Sequence, residues 1–312
     1  MNEFDLIRWI RTQVGASPAC LPAGMAVPVG IGDDCAALRM PPGKLLLVTT
    51  DMVIAGVHFD PQTATAEQVG HKAMARGLSD IAAMAGDALA VVVALAAPRG
   101  MESKYFQELF LGMKSVADAF GVQIIGGDMA SGDLPLTLTV TALGAGAEGA
   151  LALRSGASPG DAALVTGELG GSILGRHLTF LPRLNEAKWL RGEIAIHSMV
   201  DLSDGLATDA GHVAEESRVA IELWDDAIPI SRAAGELART SGKTPLEHAL
   251  TDGEDYELFF TADAAEAEGL LRRTDLPVRV TRIGQVSAGS GLWLGRGAAR
   301  KRLPAKGWVH EF

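Results

Sequence analysis

Cysteine is scarce. The chain has two in 312 residues, Cys20 and Cys35, and no C-x-x-C pair. This excludes a disulfide scaffold and a thiolate zinc site, and it points to a reducing compartment, expected to be the cytoplasm. Long apolar runs are missing too. The longest, Ala88 to Pro98 (ALAVVVALAAP), is too short for a membrane-crossing helix and reads as a buried strand. Met1 to Arg11 is charged and amphipathic and lacks the apolar stretch of a signal peptide. Positive charge is in deficit: 27 Lys and Arg against 38 Asp and Glu give a net charge of −11. A broad nucleic-acid footprint needs clustered cations, so that class is excluded. No HxxxH zinc pair occurs. The G-x-S-x-G at Gly156 to Gly160 contains Pro159 and precedes a strand, so it reads as a turn and not as a nucleophile elbow.

What is abundant is glycine, 37 residues, which implies tight turns and close backbone approaches. The length allows two domains, and the Gly/Ala-rich stretch at 144–149 marks the expected boundary, giving units 1–146 and 147–312. Apolar spacing predicts a helix over 4–14. Leu45 to Thr50 predicts a strand ending at Asp51, followed by irregular chain to Phe59. A helix is expected over Thr65 to Ala85, where Thr65 and Gln68 suit a capping box. Strands are expected over 89–96, 122–125 and 136–143, with a helix over 105–120 between the first two. In the second unit the pattern predicts strands over 162–166, 199–202, 220–223, 257–261, 278–286 and 292–294, a helix over 206–217, and another starting near the glycine loop at 167–172. The mixed order makes the fold class α/β (α+β).

Six short segments place Asp beside Gly, Ser or Thr: Gly32-Asp33-Asp34, Thr49-Thr50-Asp51, Leu78-Ser79-Asp80, Gly126-Gly127-Asp128, Asp201-Leu202-Ser203-Asp204-Gly205 and Gly253-Glu254-Asp255. Any one of them is an ordinary turn or cap composition. Gathered together, so many carboxylates would raise one another's pKa unless cations offset them, and Mg²⁺ with phosphate ligands is the natural partner. From the residues alone, the chain reads as a Mg²⁺-dependent enzyme acting on phosphates. The glycine loop Gly167 to Ser172 could offer amides to a phosphate or form a structural turn; it lacks the Lys-Ser/Thr ending of a P-loop. Lys72 and Arg76, one turn apart, could neutralise phosphate or lie in solvent.

Taken in order, GIGDDCAAL (30–38), TTDMVIAGVHF (49–59), HKAMARGLSDIAAMA (71–85), IGGD (125–128), DLSDGLATD (201–209) and GEDYEL (253–258) resemble the thiamine-monophosphate kinase family. That family lies within the superfamily of aminoimidazole-ribonucleotide synthetase and selenophosphate synthetase. The resemblance implies a two-domain aminoimidazole-ribonucleotide-synthetase-like fold. Its N-terminal domain would pair sheets across a homodimer, and its active site would lie in the cleft between the domains. It implies conversion of thiamine monophosphate and ATP to thiamine diphosphate and ADP with several Mg²⁺ ions, by direct in-line transfer, with no nucleic-acid or membrane partner.

By motif position, the resemblance makes Asp33, Asp34, Thr49, Thr50, Asp51, Asp80, Asp128, Asp201 and Asp204 metal ligands. It makes Gly127, Asp128, Arg154 and Ser203 ATP contacts, and His58, Glu254 and Trp308 contacts for thiamine monophosphate. No catalytic base is expected, because a phosphate nucleophile is largely ionised near neutral pH. Two positions depart from the pattern: Met129-Ala130 follow Asp128, and Asp252 precedes Gly253. A selenide-using relative would carry a reactive Cys in a Gly-rich segment, which the surroundings of Cys20 do not match. A non-catalytic homologue would have lost carboxylates that are all present here.

Overall fold

Alternating β-formers drive the first sheet. The computed structural model describes residues 9–10, 12–13, 24–29 and 37–304. Asp33, Asp34, Trp308 and both cysteines fall outside the described residues, as does most of the helix expected over 4–14, of which 9, 10, 12 and 13 are helical. By contacts the chain divides into two compact units. One comprises Met1–Ile81, Gly86–Ala150 and Leu178–Leu184; the other comprises Ala82–Ala85, Leu151–His177 and Asn185–Phe312.

The first unit opens with a two-stranded antiparallel pair, β1 (Ala26–Val29) and β2 (Ala37–Arg39). Its main sheet has four strands in the order β3-β6-β4-β5, formed by β3 (Lys44–Ile54), β4 (Asp87–Pro98), β5 (Gln123–Gly132) and β6 (Thr137–Ala147). All pairs are antiparallel except β4 with β5, which a helical crossover joins. The strand expected to stop at Asp51 continues to Ile54, because Met52-Val53-Ile54 pairs in unbroken register with Leu138 and its neighbours on β6. The strand expected over 122–125 runs on through Gly126, Gly127 and Asp128, which pair with Val92, Val93 and Ala94. Ladder bonds outweigh the poor strand propensity of glycine there.

Two helices, α1 (Ala66–Ala83) and α2 (Ser103–Phe120), serve this unit. The expected capping box is present: Gln68 N–H donates to Thr65 Oγ1 (3.2 Å), and Thr65 N–H donates to Gln68 Oε1 (2.9 Å). The two helices meet backbone to backbone. A Cβ at Gly70 would lie 1.9 Å from Leu109 O, and one at Gly112 would lie 2.0 Å from Glu67 O.

The second unit holds a seven-stranded mixed sheet in the order β13-β12-β9-β11-β7-β10-β8. Its strands are β7 (Ala162–Thr166), β8 (Ser198–Asp201), β9 (Ala220–Leu223), β10 (Leu258–Ala262), β11 (Val280–Ser287), β12 (Gly291–Leu294) and β13 (Lys301–Arg302). Strands β7, β9 and β10 are buried along their whole length, so β7 and β10 read as nearly continuous apolar runs, whereas β9 buries Glu222, which accepts from Arg300 at 3.1 Å. Helix α4 (Leu206–Glu216) packs Leu206, Ala210 and Val213 into a core with Val165, Ile221, Phe259 and Ile283.

The helix expected at the glycine loop does not form. Two 3-10 turns, Ser172–Leu174 and Arg176–Leu178, replace it, separated by Gly175 at φ +131°. Helices α3 (Leu184–Glu193), α5 (Arg232–Ser241), α6 (Pro245–Thr251) and α7 (Ala264–Leu271) add to the expected elements; α3 and α7 are only weakly amphipathic. No described helix is long and apolar enough to cross a membrane.

Candidate functional site

In the first unit, one stripe of α1 carries Lys72, Arg76 and Asp80, at i, i+4 and i+8. It faces the inward side of β3. Thr49 donates its hydroxyl to Asp80, and Arg76 Nη2 lies 3.3 Å from Asp51 Oδ1. Strand periodicity therefore separates the Thr49-Thr50-Asp51 triplet. Thr49 and Asp51 share the covered face, whereas Thr50 is exposed on the other face, with its hydroxyl 3.1 Å from that of Thr141.

Of the two readings of Lys72 and Arg76, the solvated one does not hold. Lys72 is fully buried and donates from Nζ to the His58 carbonyl at 2.5 Å. Asp128 is exposed on β5, beside Ala94 of β4. Its neighbour Gly127 is required sterically, since a Cβ there would lie 2.2 Å from Val93 O.

In the second unit, Asp201 ends β8, buried beside Leu258 of β10. Ser203, Asp204 and Gly205 then turn the chain into α4. The carboxylate of Asp209, in the first turn of that helix, accepts the N–H groups of Asp204 (3.0 Å) and Gly205 (3.1 Å). Burial first, and then the charges of Asp201 and Asp204, push Asp209 up to about 8, against the Asp204 N–H and exposed Arg154. Thus Asp201, Asp204, Asp209 and Arg154 lie within one electrostatic neighbourhood. Asp209 had no assigned role from sequence; its place in the first turn after an Asp-rich loop was the available signal.

The GEDYEL segment is stitched to the same turn. Glu254 N–H donates to Ser203 O (2.7 Å), and Tyr256 N–H donates to Leu202 O (2.9 Å). Glu254 and Tyr256 hold left-handed backbone conformations, at φ 54° and 50°, uncommon for non-glycine residues and frequent at functional sites. Asp255 anchors them: both of its oxygens accept the Gly170 N–H, at 3.0 and 2.9 Å. Asp252 Oδ2 accepts the Gly171 N–H (3.1 Å), and His248 Nδ1 lies 2.8 Å from the same carboxylate.

The glycine loop is thus an anion cradle that its own chain fills, so the structural-turn reading holds for it. The departure at Asp252 is explained by the same contacts. Arg176 completes the network, donating to Glu168 O (2.8 Å), Asp255 O (2.9 Å) and the Glu257 carboxylate. Burial pushes Asp255 up to about 7, with the Gly170 N–H and Arg176 opposing.

Among the described residues, no three His, Cys, Asp or Glu side chains form a metal cage by themselves. Mg²⁺ does not need one, because it takes one or two carboxylates and completes its shell with phosphate and water. Asp201 and Asp204, two carboxylates at one turn whose charges add to the rise that burial gives Asp209, are a donor set that fits a dication.

Residues 32–145 match the family described as AIR synthase related protein, N-terminal domain. The chain is 40% identical over 292 residues to the thiamine-monophosphate kinase of Rhodopirellula baltica, spanning 91% of this chain and 92% of the relative. The crystal structure of thiamine-monophosphate kinase from Stenotrophomonas maltophilia K279a superposes with a TM-score of 0.81 at 33% identity, over 96% of this chain and 98% of that one. A structure of AaThiL complexed with AMPPCP and TMP gives 0.76 at 27%, over 99% and 97%. The chain belongs to the thiamine-monophosphate kinase family, and it is a transferase of the kinase class.

Proposed function

We propose that the protein transfers the terminal phosphoryl group of ATP to the phosphate of thiamine monophosphate, forming thiamine diphosphate and ADP. The observation that carries this reading is the gathering of Asp201, Asp204 and Asp209 at one turn, where the Asp209 carboxylate accepts the N–H groups of Asp204 and Gly205, in a chain of this family. A nucleophile that is itself a phosphate needs charge neutralisation and alignment more than proton removal. In-line transfer follows from having two oxyanions held in position.

Asp33, Asp34, Thr49, Asp51, Asp80, Asp128, Asp201 and Asp204 would hold Mg²⁺ through oxygen atoms, and Thr50, whose side chain points away, through its main-chain carbonyl. Bound Mg²⁺ would neutralise the phosphates and polarise the transferring group. The chain's own residues do the rest. Thr49 donates to Asp80 and keeps lone pairs for a cation. Arg76 holds Asp51 in place. Gly127, Asp128, Arg154 and Ser203 would contact ATP. His58, Glu254 and Trp308 would receive thiamine monophosphate, with the carboxylate and indole suited to a flat cationic ring.

The open face of the first sheet exposes Leu46, Val48 and Met52, and we assign it to pairing with a second copy in a cytoplasmic homodimer. The test is a coupled assay of the purified chain with ATP and Mg²⁺. Thiamine diphosphate should form from thiamine monophosphate and not from thiamine. Absence of product at millimolar Mg²⁺ overturns the proposal.

A further inference from the structure

Lysine is almost never fully buried unless something holds its charge, because the ammonium loses its hydration. Lys72 is fully buried, and its Nζ reaches the His58 carbonyl at 2.5 Å. His58 is held at two further points. Its N–H donates to Ile54 O (2.9 Å), and its ring Nδ1 accepts the Ile54 N–H (3.0 Å). Gly56, at φ +80°, makes the turn between them, and a bridge from Ala55 to Phe59 closes it. An amide N–H only donates, so Nδ1 presents its lone pair, and the proton of the neutral imidazole sits on Nε2. Protonating Nδ1 would break the bond to Ile54.

We propose that Lys72 is a positioning residue. By gripping the His58 carbonyl it fixes the Ile54–His58 turn and holds the ring as a neutral Nε2–H donor aimed at the substrate's phosphate. The proposal rests on the substrate reading given above. An ammonium suits the task better than a neutral donor. Its bond to a carbonyl is charge-assisted and stronger, and its fixed charge lies under a turn that would receive an anion in a chain of net charge −11. A ring locked in this way donates a hydrogen bond and does not serve as a general base.

Two measurements test it. In ligand-free protein, ¹⁵N imidazole NMR at neutral pH should show the Nε2–H tautomer for His58, and Lys72→Met should turn it into a mixture. In kinetics, Lys72→Met should raise KM for thiamine monophosphate about tenfold, the weight of one charge-assisted hydrogen bond, with kcat and KM for ATP within about twofold. Adding Lys72→Met to His58→Ala should cost little more than His58→Ala alone, because both act through one ring. If Lys72→Met does not fold, Lys72→Gln keeps a neutral donor and carries the same cycle at smaller amplitude. A wild-type Nδ1–H tautomer overturns the proposal, and so do losses that multiply in the double variant. If wild type shows the Nε2–H tautomer but no turnover of thiamine monophosphate, the substrate reading fails, and the tautomer shift in the Lys72 variants alone decides the positioning role.

Discussion

The two units use aspartate in opposite ways. In the first, Asp51 and Asp80 stand opposite groups of their own unit that compensate them: Arg76 at 3.3 Å and the Thr49 hydroxyl. In the second, Asp201, Asp204 and Asp209 crowd one turn, and burial first, then the charges of Asp201 and Asp204, raise the Asp209 carboxyl to about 8. The first set is offset by groups that its own unit supplies. In the second, the part of the rise that comes from Asp201 and Asp204 is repulsion that a bound cation would relieve. Motifs of similar composition therefore carry different energetic signs, according to what the fold places beside them.

The sharpest way to break this comparison is a pair of isosteric changes. Asp201→Asn and Asp51→Asn should each lower kcat by about 10²-fold or more, the usual cost of losing one preorganised charge. Their effects on the metal-free fold should have opposite signs. Asp201→Asn removes a repulsion and should raise Tm by a few degrees, whereas Asp51→Asn removes an ion pair of Arg76 and should lower it by about as much. Thermal shifts of the same sign in both variants would end the distinction. Next in size, Gly127→Ala should destabilise the first unit by about 2 kcal/mol in chemical unfolding, because its Cβ would meet Val93 O at 2.2 Å.

A third test concerns pH. The folded pKa of Asp255 is raised from an ordinary value near 3.8 to about 7, so between these values the folded state binds more protons than the unfolded one. Stability then falls as pH rises from about 4 to 7, with a slope of at most about 1.4 kcal/mol per pH unit from this group. Asp255→Asn should flatten that slope in urea unfolding at stepped pH.

The smallest effect compares two helix caps. Thr65 with Gln68 caps α1, and Thr244 with Glu247 caps α6. Thr65→Ala should cost about 1 kcal/mol at any pH. At α6, hydrogen bonds from Thr244 hold Glu247 below its ordinary pKa. That contribution is present above about 4.5 and is lost as pH falls through the lowered folded value. The cost of Thr244→Ala should therefore shrink in acid, which the same titration would read.

The features legible in the sequence were those with short-range causes. The capping box at Thr65, the apolar run of β4 and the turn at Gly156 to Gly160, where Ser158 N–H donates to Asp161 Oδ2 at 2.8 Å, depend on neighbours a few residues away. The continuation of β5 through Gly126 and Gly127 was hidden, because a partner strand supplies the bonds that glycine's own propensity does not. The burial of Lys72 was hidden for a related reason: its spacing fits a solvated face as well as one covered by β3 and the His58 turn. The contacts of Gly170 with Asp255 and of Arg176 with Glu257 join residues 85 and 81 positions apart, and no local pattern announces such pairs.

By itself, then, the sequence determined the class of chemistry: an acidic, cysteine-poor α/β chain whose ordered aspartate motifs belong to the thiamine-monophosphate kinase family. Only the tertiary structure decided which of those groups face one another. It turned Thr50 away from Thr49 and Asp51, filled the glycine loop with Asp252 and Asp255, and put an ammonium under His58. The physical reason is that side-chain direction and burial follow from strand pairing and helix docking, which bring together residues that the chain order keeps far apart.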